Sequence, residues 1–130
     1  MSTETIYETN DLKTLLGSIG KNNRYLKTLL KTKANTINEV QSAMDKKART
    51  KTPLSERQRR IFHEFTGMYA KEGGNLKESL MRMEHVQYLI HTENTQPFVL
   101  SLLLLQKHQH NAIKSLRHII ASGQKTLSVL

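Results

Sequence analysis

The chain has 130 residues, of which 37% are hydrophobic and 5% aromatic, with no Cys, no Trp and a formal net charge of +9. That is enough for one domain with a core of its own, and the absence of Cys excludes disulfides, thiolate metal sites and a Cys nucleophile. So few aromatics point away from a β-sandwich or barrel and towards a helical bundle built on Leu, Ile and Met.

Residues 1–10 are polar, and Glu4, Glu8 and Asp11 precede the first base, Lys13. This is no signal peptide; the segment is expected to be a flexible acidic N-terminus. From Leu12 onward apolar residues recur at steps of three and four. Leu12, Leu16, Ile19, Leu26, Leu30, Ile37, Val40 and Met44 form a heptad-like seam, the signature of a long amphipathic helix. Asn23 and Lys33 interrupt the seam. Either they set register, or the seam is locally exposed there. Gly17 and Gly20 weaken the first turns, so the helix either kinks there or starts near Asn22.

The stretch DKKARTKTPLSERQRR, 45–60, follows. It reads as a joint between helices. Thr52-Pro53 offers an N-cap with Pro at the first helical position, and Ser55-x-x-Gln58 offers a capping box instead. Phe62, Phe65, Tyr69, Leu76, Met83, Val86 and Ile90 then share one face. Gly73-Gly74 interrupts that face, and Asn75-x-x-Glu78 can cap a fresh helix, so a break is expected there; the alternative is one long kinked helix, since Phe62, Tyr69, Leu76, Met83 and Ile90 keep a seven-residue spacing across the glycines. HTENTQPF, 91–98, is a polar connection, with Pro97 in the first turn of the last helix. That helix opens apolar on all sides with FVLSLLLL, as expected of a central helix or a subunit interface. The run is far shorter than the roughly 20 residues of a membrane span. Beyond it Leu105, Ala112, Leu116 and Ile119 face inward, with Lys107, Lys114 and Arg117 outward. Gly123 is a natural stop, leaving 123–130 as a tail. The expected fold is all-α, a domain over 11–122 with three to four helices at about 11–48, 54–72, 75–91 and 96–122.

No motif carries catalytic chemistry. His63, His85, His91, His108, His110 and His118 contain no i, i+4 pair, the spacing that puts two ligands on one helix face. They are expected at the surface, with no metal site. GSIGKN, 17–22, fails the phosphate-loop pattern: Leu15 stands at its first Gly and Asn22 at its Ser/Thr. It also resembles the GxxG loop of RNA-binding KH domains, whose strands are missing here. Nothing marks a nucleophile elbow, and the carboxylates are scattered. The expectation is no enzyme, no cofactor and no small-molecule substrate.

The charge is unevenly placed. Residues 13–60 hold 13 Lys and Arg against Glu39, Asp45 and Glu56. Such a field is aimed at something acidic. Arg24, Lys27 and Lys31 form a ladder beside the Leu seam, able to follow a phosphate backbone; the plain alternative is solubilisation of an outer helix face. Lys46, Lys47, Arg49, Lys51, Arg57, Arg59 and Arg60 cluster around the joint, with Glu56 the only acid from Lys46 to Arg60. A self-repelling cluster of this kind is tolerated more easily when a polyanion neutralises it. Aromatic platforms for single-stranded bases are absent, so backbone contacts should dominate. Lys46-Lys47, nine residues, then Arg57-Gln58-Arg59-Arg60 also resembles a bipartite nuclear localisation signal. Without that role the expected location is cytoplasmic.

Two resemblances bear on function. Leu54, Ser55, Gln58, Phe62, Phe65, Gly74 and Asn75 resemble the opening helix pair of phage terminase small subunits, which begin with Leu-Ser/Thr-x-x-Gln, an aromatic run and a "GN". The likeness covers a fifth of the chain, and the recognition-helix turn that should follow is missing. In general character, a small, basic, cysteine-free helical protein, the chain resembles the small subunits of CRISPR effector complexes. Both imply binding to nucleic acid, DNA or RNA, as a homo-oligomer or a subunit of a larger assembly. The competing expectation is a protein-interaction module, such as an assembly or export chaperone or a virion structural protein, working through its apolar seams.

Overall fold

The computed structural model describes residues 3–92 and 98–130, with side chains from Leu12 onward. Three helices account for them: α1, Thr3–Arg49; α2, Glu56–Thr92; and α3, Phe98–Val129. At 1.5 Å per residue they run about 70, 55 and 48 Å. The all-α bundle expected from the seams is therefore present, with three helices. The acidic residues of the N-terminal segment, and the polar connection with Pro97, lie largely outside the described side chains.

α3 packs against both α1 and α2. Gln106 reaches Ser18, and Gln109 reaches Asn22 and Asn23, so α3 runs parallel to α1. Gln58 reaches Val129 and His118 approaches Glu72, so α3 runs antiparallel to α2. The main core joins Leu15, Ile19, Leu26 and Leu29 of α1, Leu76, Met83 and Val86 of α2, and Leu102, Leu105, Ala112, Leu116 and Ile119 of α3. Each fully buried Leu or Ile contributes about 1.5–3 kcal/mol, and Leu116 and Ile119 on the central helix are fully buried.

Several expectations change. α2 is continuous across Gly73-Gly74. The seven-residue spacing of Leu76 and Met83 holds the apolar face in phase, and burial of both sides on α3 outweighs a propensity cost of about 1 kcal/mol per Gly. α1 runs unbroken from Thr3 through Gly17 and Gly20. α3 does not stop at Gly123 but continues to Val129. Gly123 is buried in the helix interior, where a Cβ would lie 2.5 Å from the Thr36 Cγ2, so close approach of α1 to α3 is what requires glycine there. The α1 seam is rotated slightly: Leu15 and Leu29 are buried, while Leu16 is exposed. The polar position Asn23 is not merely exposed. Its Oδ1 accepts from Gln109 Nε2 at 2.8 Å. The same Nε2 donates to the Ile19 carbonyl at 3.1 Å, and Asn22 Nδ2 donates to Gln109 Oε1 at 3.1 Å. Gln109 is 0% exposed and fully paired. Sliding α1 along α3 would strand these groups at about 1–3 kcal/mol each, so the network locks the register.

Candidate nucleic-acid interface

The joint between α1 and α2 is built, not slack. The Thr52 N–H donates to the Lys47 carbonyl at 2.9 Å and the Lys51 N–H to the Ala48 carbonyl at 3.2 Å. This is the Schellman arrangement that closes a helix C-terminus. Lys51 holds its left-handed position, with φ at 53°, where glycine is the usual occupant. On the other side Ser55 caps α2. The Gln58 N–H donates to Ser55 Oγ at 3.1 Å, and the Ser55 N–H donates to Gln58 Oε1 at 2.8 Å. Of the two starts offered by the sequence, the Ser55 capping box is used, and Thr52-Pro53 lies before it. Gln58 does more than its motif announces. Its Nε2 donates to the Val129 carbonyl at 2.7 Å, tying the start of α2 to the end of α3. Nothing in the sequence marks that second bond.

These devices fix the cation cluster. Lys46, Lys47 and Arg49 lie in the last turn of α1, with Lys51 in the joint. Arg57, Arg59 and Arg60 lie in the first turns of α2. All seven are exposed except Lys47, which is half-buried. The α1–α3 pairs sit 86 to 88 residues apart in sequence. Carried along, that offset sets Val129 beside Ser42. Arg49 therefore extends past the end of α3 by about 10 Å. Lys46, Lys47, Arg49 and Lys51 of this α1–α2 tip thus lie beyond the end of α3, whereas Arg57, Arg59 and Arg60 flank Gln58, which is bonded to Val129, and lie level with that end.

The tip's electrostatics are asymmetric. Cations at the α1 C-terminus face the negative end of its dipole and gain about 0.3–1 kcal/mol each. Arg57, Arg59 and Arg60 sit at the positive end of α2, where only Glu56 opposes them. An anion placed there relieves that repulsion. Among the described residues Arg82 pairs with Glu78 at 2.7 Å, and the His118 Nδ1 lies 3.8 Å from Glu72 Oε2. Neither includes a tip cation.

Arg24, Lys27 and Lys31 are not gathered into the tip. They are exposed on α1, and Lys31 precedes Lys46 by about 22 Å along the axis. Lys33, on the seam, instead sits 5.8 Å from the centroid of the Tyr69 ring on α2. The cations thus fall in two groups, a ladder on α1 and a cluster shared by the end of α1, the joint and the start of α2.

A polar cleft of about 410 Å³ lies between α2 and α3, lined by Glu72, Glu78, Arg82, Lys107, His108 and Lys114 among others. His108 departs from the surface placement expected of the histidines: it is 8% exposed. Burial holds its imidazole below the ordinary value, and the charges of Arg82 and Lys107 push the same way, against Glu78. No group of three or more His, Asp or Glu among the described residues is placed to hold a metal ion. No helix among them is long and apolar enough to cross a membrane. Comparison with protein-family models, curated proteins and solved structures finds no match to this chain.

Proposed function

We propose that the protein is a non-enzymatic nucleic-acid-binding subunit that grips phosphate backbone through the α1–α2 tip. The observation that carries this reading is the set of seven cations, Lys46, Lys47, Arg49, Lys51, Arg57, Arg59 and Arg60, around a helix–helix joint held by two capping motifs, with none in an ion pair among the described residues. Fixing cations in advance reduces the ordering cost of binding. Each phosphate engaged releases a counterion. Arg24, Lys27 and Lys31 extend the same positive field along α1.

A second reading, a protein-interaction module, draws on a different observation. Leu100 is 60% exposed, and Leu103 and Leu104 are also open to solvent near the start of α3. The two readings separate by substitution. Reversal of Lys46, Lys47, Arg59 and Arg60 to Glu should abolish nucleic-acid binding and function while helicity is retained. Leu103→Gln should leave both intact. The opposite pattern would favour the interaction module. Leu102 is unsuited to this test, because it is buried in the core and a polar residue there would unfold the protein.

A further inference from the structure

The two cationic parts are spaced along α1 in a way that selects among nucleic acids. At 100° per residue Arg24, Lys31 and Arg49 point within about 20° of one another, directly away from the core that Leu26 and Val40 face. Lys46 stands within about 60° of them. Arg24 to Lys31 is about 10 Å along the axis, Lys31 to Lys46 about 22 Å, and Arg24 to Lys46 about 33 Å. Between Lys31 and Lys46 the outward face carries Asn35, Asn38, Glu39, Ser42 and Asp45, with no cation.

A single strand laid along this face would meet Glu39 half-way and find nothing to neutralise its phosphates over about 22 Å. A duplex behaves differently. Its two backbones cross a rod lying along it at unequal intervals, separated by a narrow and then a wide groove. In B-form DNA the minor groove is about 6 Å wide and the major groove about 12 Å, and the pattern repeats every turn of about 34 Å. Those widths are the open space across each groove and leave out the backbones; along the axis one minor and one major groove together fill the turn, and cation intervals of about 10 and 22 Å, a short and a long one, add to about 33 Å.

Resting on the phosphate-grip reading, we infer that the ligand is B-form double-stranded DNA. It lies along the outer face of α1, with the ladder straddling the minor groove, the cation-free face over the major groove and the tip on the next backbone crossing. The contact from Arg24 to Arg49 covers about 38 Å, or about 11 base pairs at 3.4 Å each. In A-form RNA duplexes the narrow groove is the deep major one and the wide groove the shallow minor one, so the backbones meet a straight rod at different spacings.

The test is fluorescence anisotropy of the full chain with labelled DNA duplexes of 8, 12, 16 and 24 base pairs, beside a 16-base-pair RNA duplex and single-stranded 24-mers. Affinity is expected to step up at least tenfold between 8 and 16 base pairs, then to rise only with the number of overlapping sites. Arg24→Gln with Lys31→Gln should remove the step, lowering affinity for the 16-base-pair duplex by a much larger factor than for the 8-base-pair duplex. These residues are exposed, and circular dichroism checks that the double variant is folded. Single strands or RNA duplex bound as tightly as DNA duplex, or a length series without a step, would overturn the inference and leave the phosphate grip standing. No binding to any polymer at low salt would overturn both.

Discussion

At the scale of single residues, the tip shows a conflict between local strain and surface charge. Lys51 takes a left-handed conformation that costs an L-residue about 1–2 kcal/mol, in a Schellman turn that glycine fits without strain. Lys51→Gly is expected to stabilise the fold by about 0.5–1 kcal/mol, after allowing for the greater freedom of glycine in the unfolded chain, as read by urea denaturation. A lysine retained there fits the proposed grip, since it adds a cation to the cluster. His108 carries the other residue-scale cost, that of a buried imidazole among cations. Burial, then Arg82 and Lys107, hold its imidazole below the ordinary value of 6.5, so the folded protein binds this proton less readily than the unfolded chain. The stability associated with neutral His108 is complete above about pH 6.5 and is lost progressively below it. Stability should therefore fall from pH 7 to pH 5 more steeply in the wild type than in His108→Gln. The difference in slope cannot exceed about 1.4 kcal/mol per pH unit; equal slopes would contradict the assignment.

At the scale of elements, glycine has opposite meanings at two helix positions. Gly74 is exposed, and an added Cβ would meet nothing within 4 Å. Gly74→Ala is expected to stabilise α2 by about 1 kcal/mol through helix propensity alone. Gly123 is the reverse, with Thr36 Cγ2 2.5 Å from the position of a Cβ. Gly123→Ala is expected to cost about 1–3 kcal/mol by overpacking, and Thr36→Ser, which removes that methyl, should recover part of the loss. Denaturant midpoints check both. The same pair explains what the sequence can and cannot disclose. The seams of Leu26, Val40, Leu76, Met83 and Leu116 are readable as periodicity because they face one partner over many turns. Gly73-Gly74 and Gly123 mislead because a local propensity signal carries no information about the partner helix. Packing on α3 overrides the first pair, and contact with Thr36 gives the last its role. Gln109, Ser79 and Ser115 are illegible as core residues for the same reason: polarity predicts exposure, while their burial depends on neighbours distant in the chain.

At the scale of the whole molecule, the three helices pack with α3 at the centre, and the end of α1 with its joint to α2 extends past the end of α3. The seven tip cations and the three of the ladder are legible as charge. That the joint holds the seven in one place is legible only in part, through the Ser55-x-x-Gln58 box. Their separation from Arg24, Lys27 and Lys31 follows from the unbroken length of α1. The central claim is that this tip grips phosphate. The most direct measurement is the salt dependence of nucleic-acid binding by anisotropy, in wild type and in a variant with Lys46, Lys47, Arg59 and Arg60 changed to Gln. On this account the wild type binds duplex DNA with dissociation constants below micromolar at low salt. Its log–log salt slope should be steep, and shallower in the variant by about 3 to 4, close to 0.9 for each phosphate that the variant no longer neutralises. A folded wild type that does not bind at low salt, or a slope unchanged by the four substitutions, would contradict it.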